Sequence, residues 1–356
     1  MDWDVPELLK KVVDSKGSDL HLTVGLPPVI RIDGKLTKTD LPVLKPEDTE
    51  YIARFIVGGN ERWEQFHKNN ELDLSIGLPQ TGRFRVNVYR QRGSCGLVLR
   101  ALSYTIPSME ELQLPKETLV KLVALPRGLI LVTGPTGSGK STSLASMIDY
   151  INNTRACHII TIEDPIEYLH SHKKSIINQR ELGADTHSFE NALVHALRQD
   201  PDVILVGEMR NLETIAIALT AAETGHLVFA TLHTNNAPST IDRIVDIFPP
   251  HQQQQVRIQL AGAIQGVISQ QLLSRANAKG RVPAIEVMLA NNAIRNLIRE
   301  GKSHQIYTIM QTSLSEGMVT MDRSLFELYR KGLVTWEDAF DHAIDQKEFK
   351  VWRNRA

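Results

Sequence analysis

The sequence predicts an α/β protein in which a mostly parallel sheet is covered by helices on both faces, with a smaller α+β domain ahead of it and a helical tail behind. Three observations carry that expectation. From Gly128 onward short apolar runs alternate with helix-forming runs, the pattern of buried parallel strands and their crossovers. At the first such strand-to-helix junction stands a glycine-rich stretch, Gly134, Pro135, Thr136, Gly137, Ser138, Gly139, Lys140, Ser141 and Thr142. Before residue 103 the period is two instead, with polar and apolar residues alternating along 71–76 and 83–90, as in a sheet with one wet face.

A chain of 356 residues is too long for one ordinary core. The expected division is 1–102, a linker over 103–115, a core over 116–290 and a helical region over 291–356. A net charge of −1 supplies no basic field for nucleic acid, so no direct nucleic-acid partner is expected. Cys95 and Cys157 are the only cysteines and lie far apart, which excludes a disulfide framework and a C-x-x-C zinc site. No run of about eighteen apolar residues occurs, and Met1-Asp-Trp-Asp lacks the basic and apolar flanks of a leader. The expectation is a cytoplasmic chain without a transmembrane segment, held to a membrane through a partner.

In order, the pattern reads as a helix over 4–15, strands over 19–23 and 29–35, helices between 45 and 67, and strands over 71–76, 83–90 and 96–102. Along 83–90 the residues Arg83, Arg85 and Asn87 point one way, with Arg100 on a neighbouring strand, while Phe84, Val86 and Val88 pack inward. By composition alone such a face is a solvated basic one. The segment 103–115, with Pro107 and Pro115, loses periodicity and suits a hinge. Strands then follow at 129–133, 158–162, 203–206 and 226–231, with helices to about 152 and over 188–198, 212–223 and 238–248. A single long helical run over 252–275, a strand over 283–287 and further helices complete the chain. Ligands of such a sheet gather at the carboxyl ends of its strands, where every motif below falls.

Gly134, Gly137 and Gly139 let successive N–H groups turn inward around an anion, and the following helix adds its positive end. In the G-x-x-x-x-G-K-[ST] pattern Lys140 reaches the β- and γ-phosphates and Ser141 holds magnesium, so ATP and Mg²⁺ are the expected ligands. The apolar run 203–206 ends shortly before Glu208, which can orient or activate a water, hold magnesium through water, or simply cap the next helix. Glu163, Asp164 and Glu167 form a second acidic group after a strand; hydrated magnesium or an arginine is its natural counter-charge, unless it is a solvated turn. His226 and His233 bracket another strand. His233 at the carboxyl end can touch the terminal phosphate, whereas His226 can merely finish a turn after Gly225, and for either the structural role is the default.

Taken together, the glycine loop, the box Ile162-Glu-Asp-Pro-Ile-Glu167, the segment from Leu197 to Arg210 and the segment from Thr220 to Thr234 resemble the secretion and type IV pilus ATPase superfamily. Gly17-Ser-Asp-Leu-His-Leu, Gly25-Leu-Pro-Pro and Ala293-Ile-Arg-Asn-Leu-Ile-Arg-Glu300 are similar to its pilus retraction (PilT) family. That octapeptide is by periodicity alone an amphipathic helix. The resemblance implies a RecA-like P-loop NTPase core with a PAS-like N-terminal domain. It further implies a homohexamer whose subunits hydrolyse ATP at shared sites, driving pilus retraction and twitching motility through an inner-membrane, PilC-like platform protein. It leaves room for a paralogous retraction ATPase as a partner. Arg85 and Arg100, with Arg83 behind them, match the arginines that complete a neighbour's site, which changes the solvated-face reading above; Arg198 and Arg210 match positions that pair with the acidic box or sense nucleotide. The chain departs from the family at Val194, Asn211, Ala216 and Ala230, where arginine, aspartate, arginine and glycine are expected in close relatives, and none of these is a phosphate ligand. A nucleic-acid translocase and a passive nucleotide-sensing ring are the rival functions on the same core.

Overall fold

The Asp4 side chain accepts the Glu7 amide at 3.0 Å and, with a proline in the first turn, starts helix α1 (Val5–Asp14), which buries Val5, Leu8, Leu9 and Val12. The structure is a computed structural model describing residues 3–32, 34–78, 82–102, 105–278 and 280–353. It divides into a unit that runs to Thr105 and takes in Glu167–Leu169, and a second of Ile106–Ile166 and His170 onward. Ser103 and Tyr104 of the expected hinge lie outside the described residues.

In the first unit β1 (Asp19–Leu22), β2 (Val29–Ile32), β3 (Lys35–Lys38), helices α2 (Pro46–Val57) and α3 (Asn60–Asn69), β4 (Glu71–Leu78), β5 (Gly82–Gln91) and β6 (Ser94–Leu102) follow α1. The sheet runs β3-β2-β1-β6-β5-β4, each neighbour antiparallel. One strand was expected over 29–35; the chain instead turns back there. Gly34 takes φ of 79°, and Arg31 Nη1 donates to its carbonyl at 2.8 Å, closing the β2–β3 hairpin. Along β5 the period of two is realised: Phe84, Val86 and Val88 are fully buried beside Leu97 and Leu99, while Arg85 is exposed on the opposite face.

The second unit contains α4 (Lys116–Val123), β7 (Gly128–Thr133), α5 (Lys140–Thr154), β8 (His158–Glu163), β9 (Ile176–Glu181), α6 (Phe189–Ala196), β10 (Val203–Val206), α7 (Leu212–Glu223) and β11 (Leu227–Leu232). Then come α8 (Ala237–Asp246), α9 (Pro250–Ala263), β12 (Ile264–Ser274), β13 (Arg281–Leu289), α10 (Asn292–Arg299), α11 (Ile306–Thr312), α12 (Met321–Arg330), α13 (Trp336–Asp341) and α14 (Gln346–Arg353). Its sheet runs β13-β12-β7-β11-β10-β8-β9, parallel throughout except for β13 against β12. Apolar clusters fill both faces, one around Leu131, Ile204 and Leu260, the other around Ile130, Phe229 and Ile148.

Three expectations change here. The helical run over 252–275 stops at Ala263, because Ile264, Val267 and Ile268 fill a strand slot between β7 and β13, and pairing on both sides outweighs helical periodicity. Strand β9 escaped notice because it is a half-exposed edge strand rich in polar residues. The connector over 103–115 is shorter than expected: from Ile106 it packs with the second unit, Met109 and Leu114 being buried in the cluster of Leu119 and Leu122.

The C-terminal helices close over the β12–β13 hairpin. Leu273, Val282 and Ala284 share a core with Met321, Leu325 and Phe349, and the Trp336 and Phe349 rings stack with centroids 5.2 Å apart. Ile294 and Ile298 of α10 are buried in the sheet's own core, so the apolar face of that amphipathic helix serves this unit. Arg295 turns inward as well, donating to the carbonyls of Ala261, Gly262 (3.0 Å) and Ala290 (3.1 Å), where it meets the negative end of α9. Among the described residues no helix is long and apolar enough to cross a membrane.

One carboxyl in this core is wholly enclosed. Burial pushes Glu286 up to about 7, Asp322 adds to the rise, and the amides of Ala237 and Met321 with the Ser269 hydroxyl partly oppose it. Its folded value lies above the unfolded 4.5, so folding takes up a proton between the two, and stability falls as pH rises through that window. Unfolding of the wild type and of Glu286→Gln at pH 5 and pH 8 measures this. The wild type should lose roughly 3 kcal/mol relative to the variant over the interval; parallel curves contradict it.

Candidate nucleotide site

Strand β7 ends at Thr133, and the next residue must turn sharply while pressed against β12. Gly134 does so with φ of 140°, and a Cβ there would lie 2.2 Å from the Gln270 carbonyl oxygen. Gly139, at φ of 90°, is the N-cap of α5, and a Cβ on it would meet the Gln270 amide at 2.8 Å. The loop therefore lies flat on β12 and opens away from it. Lys140 Nζ donates to the carbonyls of Gly134 (2.7 Å) and Pro135 (3.0 Å), folding its charge over the loop. Ser141 and Thr142 occupy the first turn of α5, half-buried, where backbone N–H groups and the helix dipole favour an anion. Pro135, Thr136 and Gly137 are exposed, whereas Ser138 is buried and its hydroxyl has no partner among the described residues.

Register lines the other motifs up beside this loop. Leu232 pairs with Thr133, which puts His233 level with Gly134; Val206 pairs with Ala230 on one side and Ile162 on the other. At about 4.8 Å per strand, Glu208 follows strand β10 two places from the loop and Glu163 ends β8 one place further. The tips are laced together, Gly207 N–H donating to Ile162 O at 2.7 Å and Met209 N–H to Thr231 O at 3.1 Å.

Glu208 is the hub. Its Oε2 accepts from Arg210 Nη2 at 2.7 Å, its Oε1 lies 3.0 Å from His233 Nε2, and Arg210 Nη1 reaches to 3.9 Å of Asp164 Oδ2. Burial pushes the Glu208 carboxyl up, but Arg210 and His233 outweigh it and hold the group below its ordinary range. It is ionised at neutral pH and a weak base, suited to orienting a water. Glu163 accepts from Thr161 Oγ1 at 2.6 Å and from Gln179 Nε2 at 3.1 Å, so an acid at this tip is aimed by two neighbouring strands. For Asp164 the arginine counter-charge considered from sequence is Arg210, whereas Glu167 clusters with the first unit.

Among the described residues no group of three His, Cys, Asp or Glu side chains could cage a metal. Magnesium needs none, since it keeps waters and phosphate oxygens as ligands and asks the protein for one or two hard oxygens. The Ser141 hydroxyl and the Glu208 and Glu163 carboxylates are donors of that kind. A cavity of about 150 Å³ adjoins the loop, lined among others by Gly139, Thr142, Ser143, Gln270, Leu272 and Arg281.

Two expected site residues stand elsewhere. His226 precedes β11 at its amino end, where Nδ1 is 3.0 Å from the Ala221 carbonyl and its own carbonyl accepts from Gly128 N–H, so the length of the strand, on the order of 20 Å, separates it from the loop. Arg198 is exposed at the same edge, next to Gln199, whose carbonyl lies 2.9 Å from Nδ1 of His158 at the start of β8. Neither meets the phosphate loop of its own chain. Arg85, Arg100 and Arg83 belong to the first unit. Arg85 is paired with Arg100 across β5 and β6, and Arg100 Nε is 3.0 Å from Asp19 Oδ1. Sequence reasoning missed Gln270, Gln179 and Arg281; the first lies in a stretch that reads as helix, and the others carry no motif.

A glycine loop at the end of a central parallel strand, with a carboxylate following the next strand but one, defines a P-loop nucleoside triphosphatase of RecA type. The chain belongs to the family described as type II/IV secretion system proteins, whose profile matches residues 4–341. It is 50% identical over 346 residues to the type IV pilus retractation ATPase PilT of Pseudomonas aeruginosa, covering 97% of this chain and 100% of that one. To the type IV pilus ATPase PilU of the same bacterium it is 43% identical over 345 residues, covering 97% and 90%. The crystal structure of the pilus retraction motor PilT with bound ADP matches with a TM-score of 0.90 at 53% identity, over 98% of this chain and 100% of that one.

The geometry at Gly134 gives a sharp expectation. Gly134→Ala should cost more than about 2 kcal/mol of stability and remove nucleotide binding, because its Cβ would meet backbone in a conformation alanine avoids. Thermal unfolding with and without ADP measures both effects; an unchanged ADP-induced rise in Tm contradicts the role given to this turn.

Proposed function

We propose that this chain is an ATP-hydrolysing motor that powers type IV pilus retraction and twitching motility as a cytoplasmic homohexamer acting on an inner-membrane platform protein. The observation that carries this is the Glu208–Arg210–His233 cluster at strand tips beside a complete phosphate loop, in a chain alike over nearly its whole length to a pilus retraction ATPase.

When ATP enters, Lys140 exchanges its two carbonyl partners for β- and γ-phosphate oxygens, and the loop amides with the α5 N-terminus take the rest of the charge. The cavity next to Thr142 receives the nucleoside. Magnesium, when bound through Ser141 with the carboxylates behind it, neutralises charge on the phosphate oxygens. Glu208, kept ionised by Arg210 and His233, orients the attacking water; a weak base suffices because phosphoryl transfer depends on positioning and electrostatics. His233, between loop and carboxylate, senses whether the terminal phosphate is present. Arg85 and Arg100 approach that phosphate from an adjacent subunit, so hydrolysis requires assembly, and the release of their hold is the mechanical step.

Lys140→Ala should abolish turnover, and Glu208→Gln should bind ATP normally while hydrolysing it at least about a hundredfold more slowly. Steady-state phosphate release with a nucleotide-binding assay checks both, and retained hydrolysis in either removes the assignment. Mixing inactive Lys140→Ala subunits with inactive Arg85→Ala, Arg100→Ala subunits should restore part of the activity if sites are shared; mixtures that stay inactive contradict sharing. In cells lacking the protein, surplus pili that do not retract are expected, and absent pili would point to extension instead.

A further inference from the structure

Behind the phosphate loop, three buried polar side chains cross three strands in register. Thr133 on β7 faces Ser269 on β12, and Ser269 faces Glu286 on β13. All three are fully enclosed. Thr133 Oγ1 donates to Ser269 Oγ at 2.9 Å, and Ser269 stands directly opposite Glu286 across β12 and β13. The row of buried polar side chains thus runs from the residue preceding Gly134 to an acid at the sheet's antiparallel edge.

Glu286 spends its oxygens on two helix starts. Oε1 accepts the Ala237 amide at 2.7 Å, the first residue of α8, four positions after His233. Oε2 accepts the Met321 amide at 3.2 Å, the first residue of α12, and the adjoining Val287 and Val319 exchange backbone bonds of 2.8 and 3.0 Å. Both helices direct their positive ends at one carboxyl. Around it the titratable groups are Asp322 of α12, itself bound by the amides of Ile344 and Asp345 (2.9 Å), and Tyr307 of α11, whose hydroxyl is 3.3 Å from Asp322.

An apolar side chain would fill this space at lower cost, since enclosing an acid among apolar residues is unfavourable even when its bonds are satisfied. What an apolar residue lacks is direction. Only an acceptor with two oxygens can fix two helix starts to each other beside a hydroxyl on a third element. The elements joined are the strand that carries the phosphate loop, the helix that follows the His233 turn, and the C-terminal helices.

We propose that Glu286 is a positioning residue that couples the phosphate loop and the His233 turn to the C-terminal helices, so that a nucleotide-dependent shift at His233 moves the start of α12. This rests on the ATPase reading above. The Thr133–Ser269 bond sets the loop against the same carboxyl that sets α8, and thereby the 3.0 Å contact of His233 with Glu208. A shift of α8 is transmitted because Ala237 and Met321 share an acceptor, with no slack of solvent between them.

The test compares the full-length assembled wild type with Glu286→Gln, which keeps size and one acceptor but offers an N–H where a second acceptor is needed. ATP turnover and amide hydrogen exchange of residues 234–240 and 319–325 are measured with ADP and with a non-hydrolysable ATP analogue. In the wild type both segments should change protection between the two nucleotides. In the variant KM for ATP should stay within about threefold while kcat falls about tenfold, from a misaligned Glu208–His233 pair, and 319–325 should stop responding while 234–240 still does. A wild type whose 319–325 segment ignores the nucleotide overturns the proposal, as does a variant that matches the wild type in kcat and in exchange. Should Glu286→Gln fail to fold, Ser269→Ala, which removes only the middle hydroxyl, carries the same comparison with the same two outcomes. A wild type without ATP turnover would instead sink the ATPase reading, so the two failures are distinguishable.

Discussion

The Glu208 carboxylate, held between Arg210 and His233, is the contact on which the site depends. It lies where strand ends from β7, β11, β10 and β8 are brought level by parallel pairing, and it joins the element after β10 to the element after β11. Because the burial that would neutralise the acid is outweighed by its two partners, it stays charged beside the place where phosphates bind. Any ligand carrying further negative charge must then be balanced by Lys140, by the loop amides and by cations from outside the chain.

Much of this was legible in the residues themselves. The glycine loop, the strand ends and the period-two face of β5 are local signals: glycines where backbone has no room for Cβ, and apolar residues where the sheet is covered. His226 finishes the turn before β11, and Arg198 lies away from the phosphate loop of its own chain, because a motif gives proximity in sequence while the direction of a strand decides which end a residue occupies. His226 and His233 bracket one strand and so stand at opposite edges of the sheet. The stretch 264–274 reads as helix for another reason: its strand state is fixed by pairing with β7, far away in sequence, and with its hairpin partner β13, while the residues before it continue a helical pattern.

That same stretch supplies what no motif announced. Gln270 forms the floor on which Gly134 and Gly139 rest, and it accepts from the Ser143 hydroxyl at 2.8 Å, joining β12 to α5. Ser269, one residue earlier and on the other face, begins the link to Glu286 and the C-terminal helices. Strand alternation therefore lets one strand support the loop from one side and connect it to the rest of the unit from the other. The departures at Val194, Asn211, Ala216 and Ala230 leave this arrangement intact; Asn211 caps α7 through the Thr214 amide at 3.0 Å and also donates to Glu190, which an aspartate could not do.

The central claim is that hydrolysis takes place between two copies of the chain, one holding the triphosphate in its glycine loop and the other supplying arginines. An experimental structure of the assembled protein with magnesium and a non-hydrolysable ATP analogue tests this most directly. The expected result places Arg85 and Arg100 of one subunit within hydrogen-bond distance of the terminal phosphate bound at Lys140 of the next, with Glu208 one water away. A structure in which those arginines stay remote from every bound triphosphate contradicts the account.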